Sequence, residues 1–129
     1  VDTGQDLTDN RSPETLIAAA VEAAKDADYV IFIGGLNKAA HQDCEDSDRY
    51  GLELPYAQDK VIEALAEVNP NLAVVIISGN AVTMPWVDKV NAIVEGWYSG
   101  SQMGHAIADV LFGKVNPSGK LPGQPVPWC

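Results

Sequence analysis

The sequence predicts an α/β fold, a flavodoxin-like three-layer sandwich with a mostly parallel sheet and helices on both faces. Two observations support this fold class. Apolar runs of strand length alternate along the 129-residue chain with segments whose apolar residues recur at helical spacing. At 129 residues, of which 47% are hydrophobic, the chain has the size and content that usually form one domain with one hydrophobic core. We place that domain at residues 13–122, between a polar segment at residues 1–12 and a proline-rich tail at residues 123–129.

The first helix and the first strand follow the polar segment. Ser12 can cap a helix and Pro13 can open it. The helix is expected to reach about residue 25, and its apolar face consists of Leu16, Ile17, Ala20, Val21 and Ala24. Residues 29–33 are a continuous apolar run closed by two glycines, which predicts a strand buried on both faces of a parallel sheet.

The same alternation continues to the end of the domain. Residues 58–68 predict a helix, and residues 72–77 and 92–97 predict two further strands. A last helix is expected over residues 103–112. It should end at Gly113, a residue type that tolerates the left-handed conformation found at helix ends. The residues that this helix is expected to bury are Ile107, Val110 and Leu111.

Composition excludes some classes of function. The chain has 18 acidic and 8 basic residues, and its formal charge of -10 repels nucleic-acid backbones and anionic membranes. No apolar run reaches the roughly 18 to 20 residues of a membrane-spanning helix. Cys44 and Cys129 lack CxxC spacing, so neither a zinc site nor a disulfide framework is indicated. Whether these cysteines pair, and which compartment holds the protein, the sequence leaves open.

A long segment at residues 34–55 has neither a helical nor a strand pattern and exceeds the usual connection of about 4 to 6 residues. It leaves the carboxyl end of the first predicted strand, where open α/β sheets bind ligands. Seven consecutive residues in it contain four carboxylates and one arginine, namely Asp43, Glu45, Asp46, Asp48 and Arg49. We call residues 43–49 the acidic run.

Three interpretations of the acidic run can be weighed on residue types alone. A solvated patch of charge is the simplest. A calcium loop of the EF-hand type is ruled out by the pattern, because Asp48 and Leu54 stand where glycine and a bidentate acid are required. A general acid is the third, since a carboxyl crowded by others and partly desolvated can keep its proton near neutral pH.

Other catalytic patterns are absent from the sequence. No GxGxxG follows Gly34 and Gly35, and neither a phosphate-binding P-loop nor a GxSxG nucleophile elbow occurs. His105 has no Cys or Ser partner in view, which favours a surface or hydrogen-bonded histidine. Trp86 and Trp97 could stack on sugar rings, although aromatic residues beside apolar runs more often belong to the core.

Three stretches together point to a family. They are residues 43–58, residues 78–98 and residues 100–122. The first is similar to a Glu-Gly-x-Asp-Arg sequence followed by Leu-x-Leu-Pro and Gln, and all three occur in the same order in one family. The chain thus resembles, over residues 27–122, the C-terminal α/β-sandwich domain of family-three glycoside hydrolases, the β-glucosidases and β-xylosidases.

The resemblance implies a retaining hydrolase whose nucleophilic aspartate lies in a preceding (β/α)₈ barrel, for which this chain has no room. Glu45 matches the position of the acid/base glutamate in many members. Asp48 and Arg49 are expected to orient the loop through a charge-assisted hydrogen bond. The implied partners are a β-linked glycoside and that barrel, and neither a cofactor nor a metal is implied. The isolated chain is expected to be inert.

The chain departs from the family pattern at three places. Asp46 stands where the family often has glycine, which suggests a different loop conformation, and Gln102 replaces a frequent glutamate. Residues 123–129 differ from the usual continuation of the domain.

Two alternatives to the acid/base function stay open. The first is a non-catalytic packing or sugar-binding module that shapes the barrel pocket. The second, a free-standing receiver-type signalling domain, is disfavoured because Gly34 and Gly35 stand where paired acids are expected. With the barrel absent, apolar surface around the long loop is expected to promote self-association.

Overall fold

A computed structural model describes residues 11–122 of the chain. Its main elements are helix α1 (Pro13–Lys25), strand β1 (Val30–Gly35), helix α2 (Gln58–Val68), strand β2 (Leu72–Ile77), strand β3 (Ala92–Glu95) and helix α3 (Met103–Leu111). The three strands form a parallel sheet in the order β1-β2-β3, and this confirms the predicted α/β sandwich. The proposed domain limits stay a prediction, because residues 1–10 and 123–129 lie outside the described residues.

Helix α1 begins as the sequence predicts. Ser12 has an extended backbone, and its hydroxyl accepts a hydrogen bond from the Thr15 N–H at 3.3 Å. Pro13 occupies the first helical position, where its missing N–H costs nothing. Glu14 in the first turn places negative charge at the positive end of the helix dipole. None of the helices in this part of the chain is long and apolar enough to cross a membrane.

Strand β2 lies at the centre of the core. Its side chains alternate between the two faces of the sheet, and Leu72, Val74, Val75 and Ile76 are all at most 1% exposed. On one face, Leu72, Val74 and Ile76 pack with residues of α1 and α2 and with Trp86, which is fully buried. Each such buried side chain stabilises the fold by about 1.5–3 kcal/mol.

The opposite face of the sheet is less covered than the sequence suggests. Strand β1 was expected to be buried on both faces, but Ile31 and Ile33 are 44% and 60% exposed. Helix α3 approaches this side, where the Ile107 and Ile77 side chains both border Gly96. The expected burial of Ile107, Val110 and Leu111 is wrong, because all three are only half-buried. An amphipathic pattern marks which side of α3 faces inward, and the extent of burial depends on what covers it.

Strand β3 is shorter than predicted. It ends at Glu95, and Trp97 has a φ of 51°, in the left-handed region that an extended strand cannot contain. The aromatic and apolar residue types of residues 92–97 favour a strand, but this backbone turn ends it two residues early.

The carboxyl end of β1 is fastened by a side chain of α2. The Gln58 amide oxygen accepts from the Gly35 N–H at 2.8 Å, and its Nε2 donates to the Gly35 carbonyl at 2.9 Å. Gly35 has a φ of 138°, and a Cβ there would lie 2.0 Å from the Ile77 carbonyl oxygen. A side chain at this position is therefore excluded by both conformation and space.

Gly35→Ala is expected to lower the free energy of unfolding of the isolated chain by about 2–3 kcal/mol, since such a strained backbone alone costs about 1–3 kcal/mol. Urea denaturation followed by circular dichroism measures the change. Gly104→Ala is the matched control, because Gly104 lies in α3 and an added Cβ would meet no atom within 4 Å beyond its own helix backbone and chain neighbours. It should be neutral or stabilising by up to about 1 kcal/mol. Equal midpoints for the two variants would contradict the structural argument.

Candidate functional site

The loops that follow the three strands meet at the carboxyl edge of the sheet. Residues 36–57 connect β1 to α2, residues 78–86 follow β2, and residues 96–99 follow β3. The long unpatterned segment predicted from sequence is therefore present at the edge where parallel sheets bind ligands. An open groove of about 410 Å³ lies between the first two loops. Its lining is Gln42, Asp43, Cys44, Glu45, Ser47, Asp48, Arg49 and Asn80.

The loop backbone at this edge is strained. In the described residues, four non-glycine residues have positive φ values: His41, Tyr56, Ala57 and Trp97. Three of them lie in the long loop and the fourth follows β3. Strain of this kind costs roughly 1–3 kcal/mol at each residue and persists where surrounding contacts hold it, which is common at functional sites.

Asp43 is the most heavily hydrogen-bonded carboxylate of the loop. Its Oδ2 accepts from the Gly79 N–H at 2.7 Å and from the Tyr98 hydroxyl at 2.7 Å, while Oδ1 accepts from Asn80 Nδ2 at 2.8 Å. Asp43 thereby joins the long loop to the segments that follow β2 and β3. Burial alone would raise the pKa of Asp43, but these three hydrogen bonds and the nearby Arg49 charge outweigh it and lower the pKa.

The two groups next to Asp43 have the opposite shift. Burial, and then the hydrogen bond to Asp43, raise the pKa of the Tyr98 phenol, so Tyr98 stays a hydrogen-bond donor at neutral pH. Burial likewise raises the pKa of Glu95, although the Trp97 N–H and the Ser78 hydroxyl donate to its carboxylate. Of these three groups, Asp43 is the one whose surroundings favour its charged form.

Arg49 holds the far end of the acidic run. Its guanidinium donates to the Ala81 carbonyl at 2.7 Å and to the Glu53 carbonyl at 3.3 Å. The hydrogen bonds are charge-assisted on the donor side, and both acceptors are main-chain carbonyls. Asp48 contributes its own carbonyl, which lies 3.0 Å from His41 Nδ1, and its carboxylate is exposed. The role of both residues in orienting the loop remains a prediction.

A compact turn occupies the middle of the run. Cys44 Sγ lies 3.0 Å from Ser47 Oγ, and this hydroxyl also accepts from the His41 N–H at 2.9 Å. The His41 and Tyr50 rings stack with centroids 4.2 Å apart. Cys44 is half-buried, whereas Cys129 lies outside the described residues, so their pairing stays an open question.

Glu45 lies on this turn and lines the groove. Its side chain is exposed, and within residues 11–122 it makes no hydrogen bond or ion pair. The structure therefore brings Glu45, Asp48 and Arg49, the three site residues predicted from sequence, to one groove. A solvent-facing carboxyl on a turn held at both ends can give a proton to a group that enters the groove or take one from it.

Some residues of this edge were not predicted as site residues. Asp43 belongs to the acidic run, and Asn80 and Tyr98 belong to stretches that carry the family resemblance, but no local pattern joins them.

The other candidate residues lie in different environments. Trp86 is buried in the core, whereas Trp97 is 40% exposed at this edge. His105 is exposed on α3. No group of three His, Cys, Asp or Glu side chains that could hold a metal occurs between residues 11 and 122.

Comparison with known proteins gives a consistent result. Residues 2–125 match the family described as "Glycosyl hydrolase family 3 C-terminal domain". The β-glucosidase BoGH3A of Bacteroides ovatus is 61% identical over 103 residues, which cover 80% of this chain and 14% of that protein. The probable β-glucosidase I of Emericella nidulans is 46% identical over 87% of this chain and 13% of its own length.

Solved structures agree. The β-glucosidase from Kluyveromyces marxianus in complex with glucose superposes with a TM-score of 0.80 at 38% identity, over 86% of this chain and 13% of that one. A β-glucosidase from Streptomyces venezuelae in complex with D-glucose gives a TM-score of 0.77 at 41% identity, over 84% of this chain and 13% of that one. The chain spans 13–14% of the length of these relatives.

Proposed function

Because the chain belongs to the C-terminal domains of glycosyl hydrolase family 3, we propose that it is part of a retaining β-glycosidase and presents Glu45 as the acid/base residue. The parent enzyme would hydrolyse the O-glycosyl bonds of β-glucosides or related sugars. The nucleophilic aspartate would belong to a separate (β/α)₈ barrel of the same parent protein. The observation that carries the proposal is the Glu45 carboxyl, which lines the groove without a partner in the described chain.

The chemistry assigned to Glu45 has two steps. In the first, the barrel aspartate attacks the anomeric carbon, while Glu45 gives its proton to the glycosidic oxygen and the aglycone leaves. In the second, Glu45 takes a proton from water, and this water displaces the aspartate from the sugar. The carboxyls must lie about 5 to 5.5 Å apart for this double displacement.

The position of Glu45 on its turn supports this proposal over a purely solvated charge patch. The acidic run is hydrogen-bonded at Asp43 and at Arg49 to the loop that follows β2, so both ends of the turn between them are anchored. Fixed geometry at a reacting group is what a general acid needs. A non-catalytic module that only shapes the barrel pocket would not need Glu45 itself, and the next experiment separates the two functions.

The test uses the full-length parent enzyme with Glu45→Ala and an activated 2,4-dinitrophenyl β-glucoside. This leaving group departs without a proton, so a glycosyl-enzyme should accumulate, because water lacks its base. Azide needs no base and should restore turnover, giving β-glucosyl azide with retained configuration. The 129-residue chain alone, as a background control, should release no dinitrophenol above buffer.

Ordinary hydrolysis by the Glu45→Ala enzyme, with no azide adduct, would overturn the acid/base role and leave the pocket-shaping function. Hydrolysis by the purified chain alone would overturn the requirement for a barrel.

A further inference from the structure

We propose that Asp43 is a positioning residue for Glu45, fixing the acid/base turn to the strand-end loops. The inference rests on the function proposed above and deepens it. Asp43 lies two residues before Glu45 and lines the same groove. Unlike Glu45, its carboxylate accepts hydrogen bonds from three donors in other parts of the chain. Both of its oxygens are engaged, so its role is to hold the backbone that carries Glu45.

The donors come from distant parts of the sequence. Gly79 and Asn80 lie 36 and 37 residues beyond Asp43, and Tyr98 lies 55 residues beyond it. Three hydrogen bonds of 2.7 to 2.8 Å to one carboxylate are short and charge-assisted, which makes them stronger than neutral ones. They connect the turn to the loops that follow β3 and the central strand β2, and β2 is the strand buried in the core.

Arg49 completes the arrangement from the other end of the run. Asp43 holds Gly79 and Asn80, and Arg49 holds the carbonyl of the next residue, Ala81. Both ends of the run are thus anchored to three consecutive residues of one loop, and the turn carrying Glu45 spans the interval. The main chain adds a further contact, because the Asp43 N–H donates to the Asn37 carbonyl at 2.9 Å. Loss of the Asp43 anchor would free one end of the turn.

A mispositioned acid should slow only the reactions that need it. Displacement of a catalytic group by about 1 Å can cost about 10²-fold in rate. In the full-length enzyme, Asp43→Ala is therefore expected to lower kcat for an unactivated alkyl β-glucoside by roughly 10- to 100-fold. KM for that substrate should change little, and the rate constant for release of dinitrophenol from the activated substrate should stay within about 3-fold.

Conservative variants separate positioning from loss of folded enzyme. Asp43→Asn should retain kcat within about 5-fold, because its amide oxygen can still accept from Gly79 and Tyr98, and a rotated Asn80 amide can accept from its NH₂. Asp46→Ala removes an exposed carboxylate of the same run and is the matched control. Tyr98→Phe removes one hydrogen bond and leaves the core intact, so a 3- to 10-fold loss of the same kind is expected even if Asp43→Ala does not fold.

The concentration of active enzyme in each preparation is determined from the size of the initial dinitrophenol burst, and rates are compared after this correction. Glu45→Ala is measured in parallel. Equal losses on both substrates for Asp43→Ala and for Tyr98→Phe, or no loss in either variant, would overturn the positioning role. If Glu45→Ala itself shows no dependence on the leaving group, the proposed function fails. If Glu45→Ala shows that dependence and the Asp43 and Tyr98 variants do not, only the present inference fails.

Discussion

Glu45→Ala in the full-length parent enzyme is expected to lower kcat/KM for an unactivated β-glucoside by about 10²- to 10⁴-fold, the usual contribution of a general acid. The loss should be severe because an alkoxide leaves poorly without a proton, and Glu45 is the carboxyl proposed to supply it. For a dinitrophenyl glucoside, kcat/KM should stay within about 10-fold, since this value reports the first step and the phenolate leaves unaided. Steady-state kinetics on the two substrates measures the difference.

Asp46→Ala is the control for this measurement. Asp46 is exposed on the same turn, so its removal changes the charge of the loop by the same amount. Its kcat/KM should stay within about 3-fold of the parent enzyme on both substrates, since surface substitutions are usually mild. A similar, modest loss in both variants would assign the effect to loop charge and would send the search for the acid elsewhere.

Trp86→Ala is expected to lower the free energy of unfolding of the isolated chain by about 3–5 kcal/mol, as for other buried aromatic truncations. Trp86 is fully buried in the cluster between the sheet and α2, so truncation leaves a large cavity. Its Nε1 donates to Asp59 Oδ1 at 2.7 Å, a contact that is also lost. Burial raises the pKa of Asp59, and the hydrogen bond from Trp86 opposes this shift by stabilising the charged carboxylate. Urea denaturation followed by circular dichroism gives the change.

Two further variants make the Trp86 measurement specific. Trp97→Ala removes the same side chain at a position that is 40% exposed, so its cost should be clearly smaller than that of Trp86→Ala. Trp86→Phe keeps most of the volume but removes the N–H, and an intermediate loss of about 1–3 kcal/mol is expected. If Trp86→Ala and Trp97→Ala cost the same, Trp86 does not contribute to the core as described.

Periodicity was sufficient to predict the elements of the fold. Apolar runs marked all three strands, and the pair Ser12 and Pro13 marked the start of α1, because both signals arise within a few residues of chain. The predictions that were wrong depend on the tertiary structure, which a window of a few residues does not contain. The residue types after Glu95 favour a strand, but the left-handed backbone of Trp97 ends it. The half-burial of α3 depends on which surfaces cover it.

The candidate site was only partly predictable for the same reason. Glu45 and Arg49 fall within one short stretch that resembles the family, so the resemblance names them together. Asp43 is indistinguishable from its acidic neighbours in the sequence. Its three donors become visible only once parallel pairing brings the ends of β1, β2 and β3 to one edge. A local pattern can name a charged residue, but only the tertiary arrangement shows what the charge contacts.

The amide of Gln58 has a further consequence for the behaviour of the chain in solution. Within residues 11–122, β1 pairs with β2 alone, so its other side carries unpaired N–H and C=O groups. Such a side is a template on which a second chain can add a strand. At Gly35, the last residue of β1, the Gln58 amide supplies one donor and one acceptor, as a neighbouring peptide group would. The N–H and C=O of Gly35 are therefore not available to a second chain. Intermolecular strand addition along β1 is therefore expected to stop before Gly35, which keeps an added strand away from the groove and from the turn that carries Glu45.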